Sequence, residues 1–180
     1  MKAIVIYCSK RGTTKKYAEW IAEDLGCKIV PVQNMDVSAL GDFDIVIYGG
    51  WTRGGGIVDL DKIRKNYVKW DLDKKSLLVY SVGIARMSKP NMDQMREINM
   101  TKPIQDIPLF ILPGAYHKEN ISGVDKIIMK ATKKILVSGG ITKVSEELNK
   151  HLEEGLDEVD RKCIDPIIEE VRRIDEEHNK

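Results

Sequence analysis

The sequence predicts an α/β fold, a three-layer sandwich built on a five-stranded parallel sheet of order 2-1-3-4-5. Three observations carry that expectation. Five short apolar runs of strand length recur along the chain, segments with helical spacing lie between them, and the first such unit opens the sequence as strand, hinge and helix. Strands buried on both faces of a parallel sheet read as continuous apolar runs. Alternation of strands with helices is the pattern that covers both faces of such a sheet.

The first run is Ala3 to Tyr7. After the hinge, Tyr17, Trp20, Ile21 and Leu25 recur at helical spacing, so a helix is expected over roughly Thr13 to Leu25, with Gly26 as its C-cap. Further strands are expected at Lys28 to Val32, Ile45 to Tyr48, Leu77 to Val82 and Leu109 to Leu112. Leu60, Ile63, Tyr67 and Val68 suggest a helix after the third strand, and Asn91 to Asn99, with Pro90 near its start, a shorter one after the fourth. Over Gly123 to Val137, the residues Val124, Ile127, Ile128, Ala131, Ile135 and Leu136 form an apolar helical face, ended by Gly139 and Gly140. A final helix is expected from about Val159 to Ile174 with a kink or restart at Pro166, followed by a frayed charged tail, Asp175 to Lys180. The chain, 1–180, thus reads as one domain with an extra helical segment at about 117–155 before the C-terminal helix.

Composition narrows the function classes. Lys plus Arg number 29 and Asp plus Glu 28, so the net charge of +1 provides no general attraction to nucleic acid. No apolar stretch approaches the ~20 residues needed to cross a bilayer. The three cysteines, Cys8, Cys27 and Cys163, are scattered and form no C-x-x-C pair, which argues against a disulfide framework or a zinc site, and no metal is expected. Only Lys2 separates Met1 from the first strand, so no signal segment is read here and a cytoplasmic location is the default.

In a sheet of this order, ligands bind beyond the carboxyl ends of the strands, where Ser9 to Thr14, Gly49 to Ile57 and Gly83 to Pro90 should meet. The hydroxyls of Ser9, Thr13 and Thr14, the flexible Gly12 and the unpaired N–H groups opening the first helix suit a single phosphate, with Lys10 and Arg11 adding attraction at the rim. The plainer reading is a capped helix after a relieved turn. Neither the triphosphate P-loop spacing nor the dinucleotide glycine pattern is present. In the second loop, Gly50, Trp51, Thr52, Arg53, Gly54 and Gly55 offer a broad apolar plane beside flexible backbone, suited either to a flat ring or to covering the sheet edge.

Tyr7-Cys8-Ser9-Lys10-Arg11-Gly12-Thr13-Thr14, followed by Ala18-Glu19-Trp20-Ile21-Ala22, resembles the FMN phosphate loop and first helix of flavodoxin-like proteins. The nearest likeness is to the flavodoxin-domain branch that includes the menaquinone-dependent protoporphyrinogen oxidases. Gly114-Ala115-Tyr116 and Val124-Asp125-Lys126-Ile127-Ile128-Met129-Lys130 are similar to the region that this branch carries after its fifth strand. The resemblance extends to about Val137.

What the resemblance implies is an FMN cofactor, with the Gly50 to Gly55 loop flanking the flavin and Gly83, Ile84, Ala85 and Arg86 facing its other side. Many flavodoxins place a tyrosine in that third loop, and none stands here. Arg86 is a candidate to steady the reduced ring, against the plainer reading of a solvated arginine. Tyr116 and His117 follow the fifth strand on the same edge, while Cys8 reads as a small buried residue at a strand end. No catalytic residue is singled out. The expected function is electron transfer to a redox partner protein or a small-molecule acceptor. The alternative is FMN-dependent protoporphyrinogen oxidation passing electrons to a quinone. In that branch the basic helix Lys126 to Lys134 would permit a place peripheral to the membrane, although a soluble helix with a lysine-rich outer face is the plainer reading.

Overall fold

The computed structural model describes residues 1–84, 88–116 and 155–178 of the chain. Strand β1 (Ala3–Cys8) leads through the hinge into α1 (Thr13–Leu25), which ends where Gly26 enters the left-handed region at φ 60° and its N–H and that of Cys27 return to Glu23 and Ala22. There follow β2 (Lys28–Pro31), β3 (Ile45–Arg53), β4 (Gly56–Ile57) and α2 (Leu60–Lys65). The rest comprises β5 (Ser76–Gly83), α3 (Lys89–Asn99), β6 (Leu109–Pro113), β7 (Ala115–Tyr116), β8 (Leu156–Asp157) and α4 (Asp165–His178).

The five long strands are parallel and ordered β2-β1-β3-β5-β6, the order read from the sequence, with the short β4 added antiparallel to β3. Alternate residues feed two cores. Val5, Ile45, Ile47, Leu78 and Tyr80 pack with Tyr17 and Ile21 of α1 and Ile167 and Val171 of α4, whereas Ile4, Ile6, Val46, Tyr48 and Val79 pack with Leu60 and Ile63 of α2 and Met95 of α3. Both faces of the sheet are therefore covered, which is why its strands are apolar at consecutive positions. In register, Cys8 stands beside Gly50, Gly50 beside Ser81 and Ser81 beside Ile111, so the carboxyl ends of four strands form one edge.

Four local differences from the sequence reading have physical causes. The third strand does not stop at Tyr48 but continues to Arg53, because Gly49 and Gly50 let other side chains lie on the backbone. A Cβ at Gly50 would stand 2.5 Å from Ile57 Cγ2. Helix α2 ends at Lys65 rather than near Val68; Asn66 Nδ2 donates to the Lys62 carbonyl at 2.8 Å, and Val68 is left 67% exposed. The final helix, expected from about Val159, becomes regular only at Asp165 after a 3-10 turn, Arg161–Ile164; the expected restart is present, with Pro166 in the first turn, where its missing N–H costs nothing. The expected fraying from Asp175 is not seen through His178: Arg173 pairs with Glu170 and Glu177, and Asp175 accepts a hydrogen bond from the Met1 ammonium group.

The short antiparallel pair β7–β8, which joins Tyr116 to Leu156, has no sequence signal of its own. The helix read over Gly123 to Val137, the lysine face from Lys126 to Lys134 and most of the segment at 117–155 lie outside the described residues.

Candidate functional site at the carboxyl edge of the sheet

The hinge after β1 is organised by Ser9 and Gly12. Gly12 N–H donates to Ser9 Oγ at 3.1 Å, and Gly12 adopts φ 92°, a conformation open to glycine at little cost. As the N-cap of α1, Gly12 contributes no side-chain acceptor, so the N–H groups of the first helical turn are not capped by it. Thr13 is half-buried, Thr14 is buried, and the Thr14 carbonyl accepts from Tyr80 Oη at 3.3 Å. The exposed Lys10 and Arg11 place two cations at this helix start, where the dipole also favours an anion.

The second loop, read from the sequence as flexible backbone beside Trp51, is a hairpin. Arg53 pairs with Gly56 across a turn in which Gly54 and Gly55 have φ 56° and 86°, the double positive value that a type I′ turn demands. Val58 N–H returns to the Trp51 carbonyl at 3.0 Å, and Tyr48 Oη donates to the Val58 carbonyl at 2.7 Å. Trp51 is half-buried against the core beside α2 and α3, and Lys10 Nζ lies 5.5 Å from its ring centroid. That contact joins the first loop to the second. Thr52 Oγ1 donates to the Val82 carbonyl at 3.4 Å, and a Cβ at Gly83 would stand 2.2 Å from the same Oγ1, so the second loop passes directly over the end of β5.

Of the third loop, Gly83 and Ile84 are described, while Ala85, Arg86 and Met87 are not among the described residues. Gly83 is fixed by Gly114 N–H, which donates to its carbonyl at 2.7 Å. Ser88 caps α3 by accepting from Asn91 N–H at 3.3 Å. Tyr116 is buried, and β7 follows directly from the carboxyl end of β6, which places it on the same edge of the sheet. His117 lies outside the described residues.

Cys8 is buried as expected, and its thiol donates to Asp59 Oδ2 at 3.3 Å. Burial and then the bond to Asp59 push this thiol up to about 11, so it is a neutral donor at physiological pH and not a nucleophile. Asp59 also pairs with Lys62 at 3.1 Å. Two clefts of about 440 and 480 Å³ lie away from the junction of the three loops, one beside Ala3, Leu25 and Cys27 at the opposite edge and one beside Asn99 under the hairpin. Neither unites the hinge with Trp51.

Two residues of this region were missed in the sequence. Asp59 carries no pattern. Asn99 had a signal: it falls four residues after Met95, on the apolar stripe of α3, where a polar side chain needs partners.

Residues 4–145 match the flavodoxin domain family. The chain belongs to that family. Among solved structures, it is similar to a flavodoxin from the domain Archaea, with 17% identity over 83% of this chain and 99% of that one and a TM-score of 0.43. Flavodoxin 2 from Bacillus cereus gives 15% identity, 83% and 99% coverage and a TM-score of 0.43. The Trp repressor binding protein from Bacillus subtilis gives 16% identity, 63% and 85% coverage and a TM-score of 0.47. No curated protein matches the chain. The family assignment rests on the domain match.

Membership of the flavodoxin domain family implies a flavin cofactor, typically FMN. The donor set of this flavodoxin domain fits such a group: an uncapped helix start with a hydroxyl and two cations for the phosphate, and a half-buried indole next to it for the ring. Among the described residues no group of His, Cys, Asp and Glu could hold a metal ion, and no helix is long and apolar enough to cross a membrane.

Proposed function

We propose that this flavodoxin domain binds FMN without a covalent bond along the carboxyl edge and passes electrons between redox partners. One observation carries the proposal: the uncapped start of α1 lies next to Trp51, the two being bridged by Lys10. Ser9, Gly12, Thr13 and Thr14 would hold the phosphate through hydroxyl and N–H donors, with Lys10 and Arg11 balancing its charge. Gly50, Trp51, Thr52, Arg53, Gly54 and Gly55 would flank one side of the ring, and Gly83, Ile84, Ala85 and Arg86 the other. When bound, FMN supplies the redox chemistry, accepting and releasing one or two electrons. The role of the chain is to exclude water from one ring face, to present backbone dipoles at the ring edge and to leave a path to a partner protein or a small acceptor.

A second reading has one supporting observation. Gly114 to Tyr116, part of the resemblance to the protoporphyrinogen oxidases, forms the edge beside Gly83. On that reading a porphyrinogen would be oxidised at the same edge and a quinone reduced, with the chain peripheral to a membrane.

Titration of the flavin-free protein with FMN and with riboflavin tests the main reading. Flavin absorption bands with the protein and an affinity for FMN at least tenfold above that for riboflavin are expected, because only FMN engages the hinge. Failure to bind either compound overturns the proposal. Anaerobic mixing of the FMN-loaded protein with protoporphyrinogen and a quinone analogue then separates the two readings, since rapid FMN-dependent porphyrin formation supports the oxidase alone.

A further inference from the structure

Asn99 is the last residue of α3 and is only 6% exposed. Its side chain bonds both its own helix and a segment more than forty positions earlier in the chain. Ile57 N–H donates to Asn99 Oδ1 at 2.7 Å, and Asn99 Nδ2 donates to the Gly55 carbonyl at 2.9 Å and to the Met95 carbonyl at 2.9 Å. One amide thus grips the outgoing arm of the β3–β4 hairpin, accepting from Ile57 in β4 and donating to Gly55 at the end of the turn, with an acceptor and two donors of the kind only a primary amide offers together.

The hairpin needs such a clamp. Its pairing with β3 consists of Thr52 with Ile57 and Arg53 with Gly56, and a two-stranded pair of that length has little stability of its own. Its turn consists of Gly54 and Gly55, the residues with the most backbone freedom to lose on ordering. Ile98, the neighbour of Asn99, closes the remaining space: a Cβ at Gly55 would stand 3.1 Å from Ile98 Cδ1. Helix α3 begins at the end of the third loop, capped by Ser88, and ends on the second. It therefore ties together the two loops that flank the proposed ring.

We infer that Asn99 is a positioning residue for the flavin ring, acting through the Arg53–Gly56 turn; the inference rests on the proposal that this turn flanks FMN. Asn99 does not touch the ring in this account. It restricts the turn to one conformation, so that the ring meets a preorganised wall and the ordering cost is met on folding rather than on binding.

The test uses the full chain carrying Asn99→Leu, which has similar volume without polar atoms, and Asn99→Asp. For each protein, affinities for FMN and riboflavin and the midpoint potentials of bound FMN are measured between about pH 5 and 9. In Asn99→Leu both ligands should bind about tenfold or more weakly and by the same factor, because the defect is on the ring side and not at the phosphate. In Asn99→Asp a carboxylate at high pH faces the Gly55 and Met95 carbonyls, whereas the protonated acid donates to one of them again and still accepts from Ile57 N–H. Its affinity and potential, each relative to wild type at the same pH, should therefore approach the wild-type values as the pH falls. The charged groups around the neighbouring cleft, Asp59, Asp61, Lys62 and Arg64, are common to wild type and variant, so their effect is removed by that ratio.

Wild-type affinity for both ligands in Asn99→Leu overturns the inference. So does a loss in Asn99→Asp that is constant with pH and follows its loss of thermal stability, which is the mark of a purely structural residue. Should Asn99→Leu fail to fold, the pH series of Asn99→Asp decides. Wild-type protein that binds neither ligand overturns the flavin reading itself, and the Asn99 inference with it; wild type that binds beside variants that behave identically overturns the Asn99 inference alone.

Discussion

The ring of Tyr80 occupies the place where a side chain at residue 49 would be: a Cβ at Gly49 would stand 1.9 Å from Tyr80 Cζ. The two residues are register partners on β3 and β5, and the Tyr80 hydroxyl continues past the glycine to the Thr14 carbonyl. One side chain therefore ties the middle of the sheet to the first turn of α1.

Gly49→Ala should be strongly destabilising for that reason. A methyl group here meets a ring that is fully buried, and overpacking of this kind costs about 1–3 kcal/mol. Urea denaturation should show a lower midpoint with an unchanged slope. Combining Gly49→Ala with Tyr80→Leu should cost less than the sum of the two single changes, because the leucine vacates the contested space.

At the hinge, Ser9→Ala removes the acceptor of the Gly12 N–H and a hydroxyl proposed for the phosphate. FMN affinity should fall by about tenfold, corresponding to one hydrogen bond to a charged group at about 1.5 kcal/mol, while riboflavin affinity stays as in wild type. Isothermal titration with both ligands reads the difference, and an equal loss for both would contradict the assignment of this loop to the phosphate.

Trp51→Ala should not discriminate between the two ligands. The indole is proposed to meet the ring, so FMN and riboflavin should weaken together, by about fivefold to tenfold from the lost aromatic contact of about 1 kcal/mol. Fluorescence titration checks it.

Alkaline pH should destabilise the fold through two thiols, the buried Cys8 and the half-buried Cys27. Burial raises Cys8 to about 11, aided by Asp59, and burial raises Cys27 to about 11, against a usual value near 9. The folded state then holds its thiol protons where the unfolded chain has begun to release them. The contribution is fully present below about pH 9 and is lost as pH rises towards 11. Thermal unfolding midpoints should fall across that window, and Cys27→Ala should flatten part of the fall. At pH 8 both thiols should react slowly with alkylating reagents in the native protein and quickly after unfolding.

Most of the architecture was legible because it follows from local pattern. The apolar runs at Ala3 to Tyr7, Ile45 to Tyr48 and Leu77 to Val82 mark strands buried on both faces, and the spacing of Tyr17, Ile21 and Leu25 marks the helix that covers one of those faces. Alternation of the two periods then leaves few topologies, which is how the strand order was legible as well. The same local signals located the hinge, since glycine and hydroxyl residues between a strand and a helix have a mechanical meaning wherever they occur.

Tertiary structure alone decided how the edge is built. Gly49 and Gly50 look like the start of a loop until Tyr80 and Ile57 are seen packed on them, and Asn99 looks like a helix terminus until its amide is found on Gly55 and Ile57. The Cys8 thiol is held protonated by burial in the assembled core and by its bond to Asp59, 51 positions away. Periodicity reports which face of a residue is buried and not what is buried against it. The sequence by itself thus determined the order of the strands and the place of the hinge, whereas the hairpin, its clamp and the ionisation of Cys8 were decided by partners brought together only when the sheet assembles.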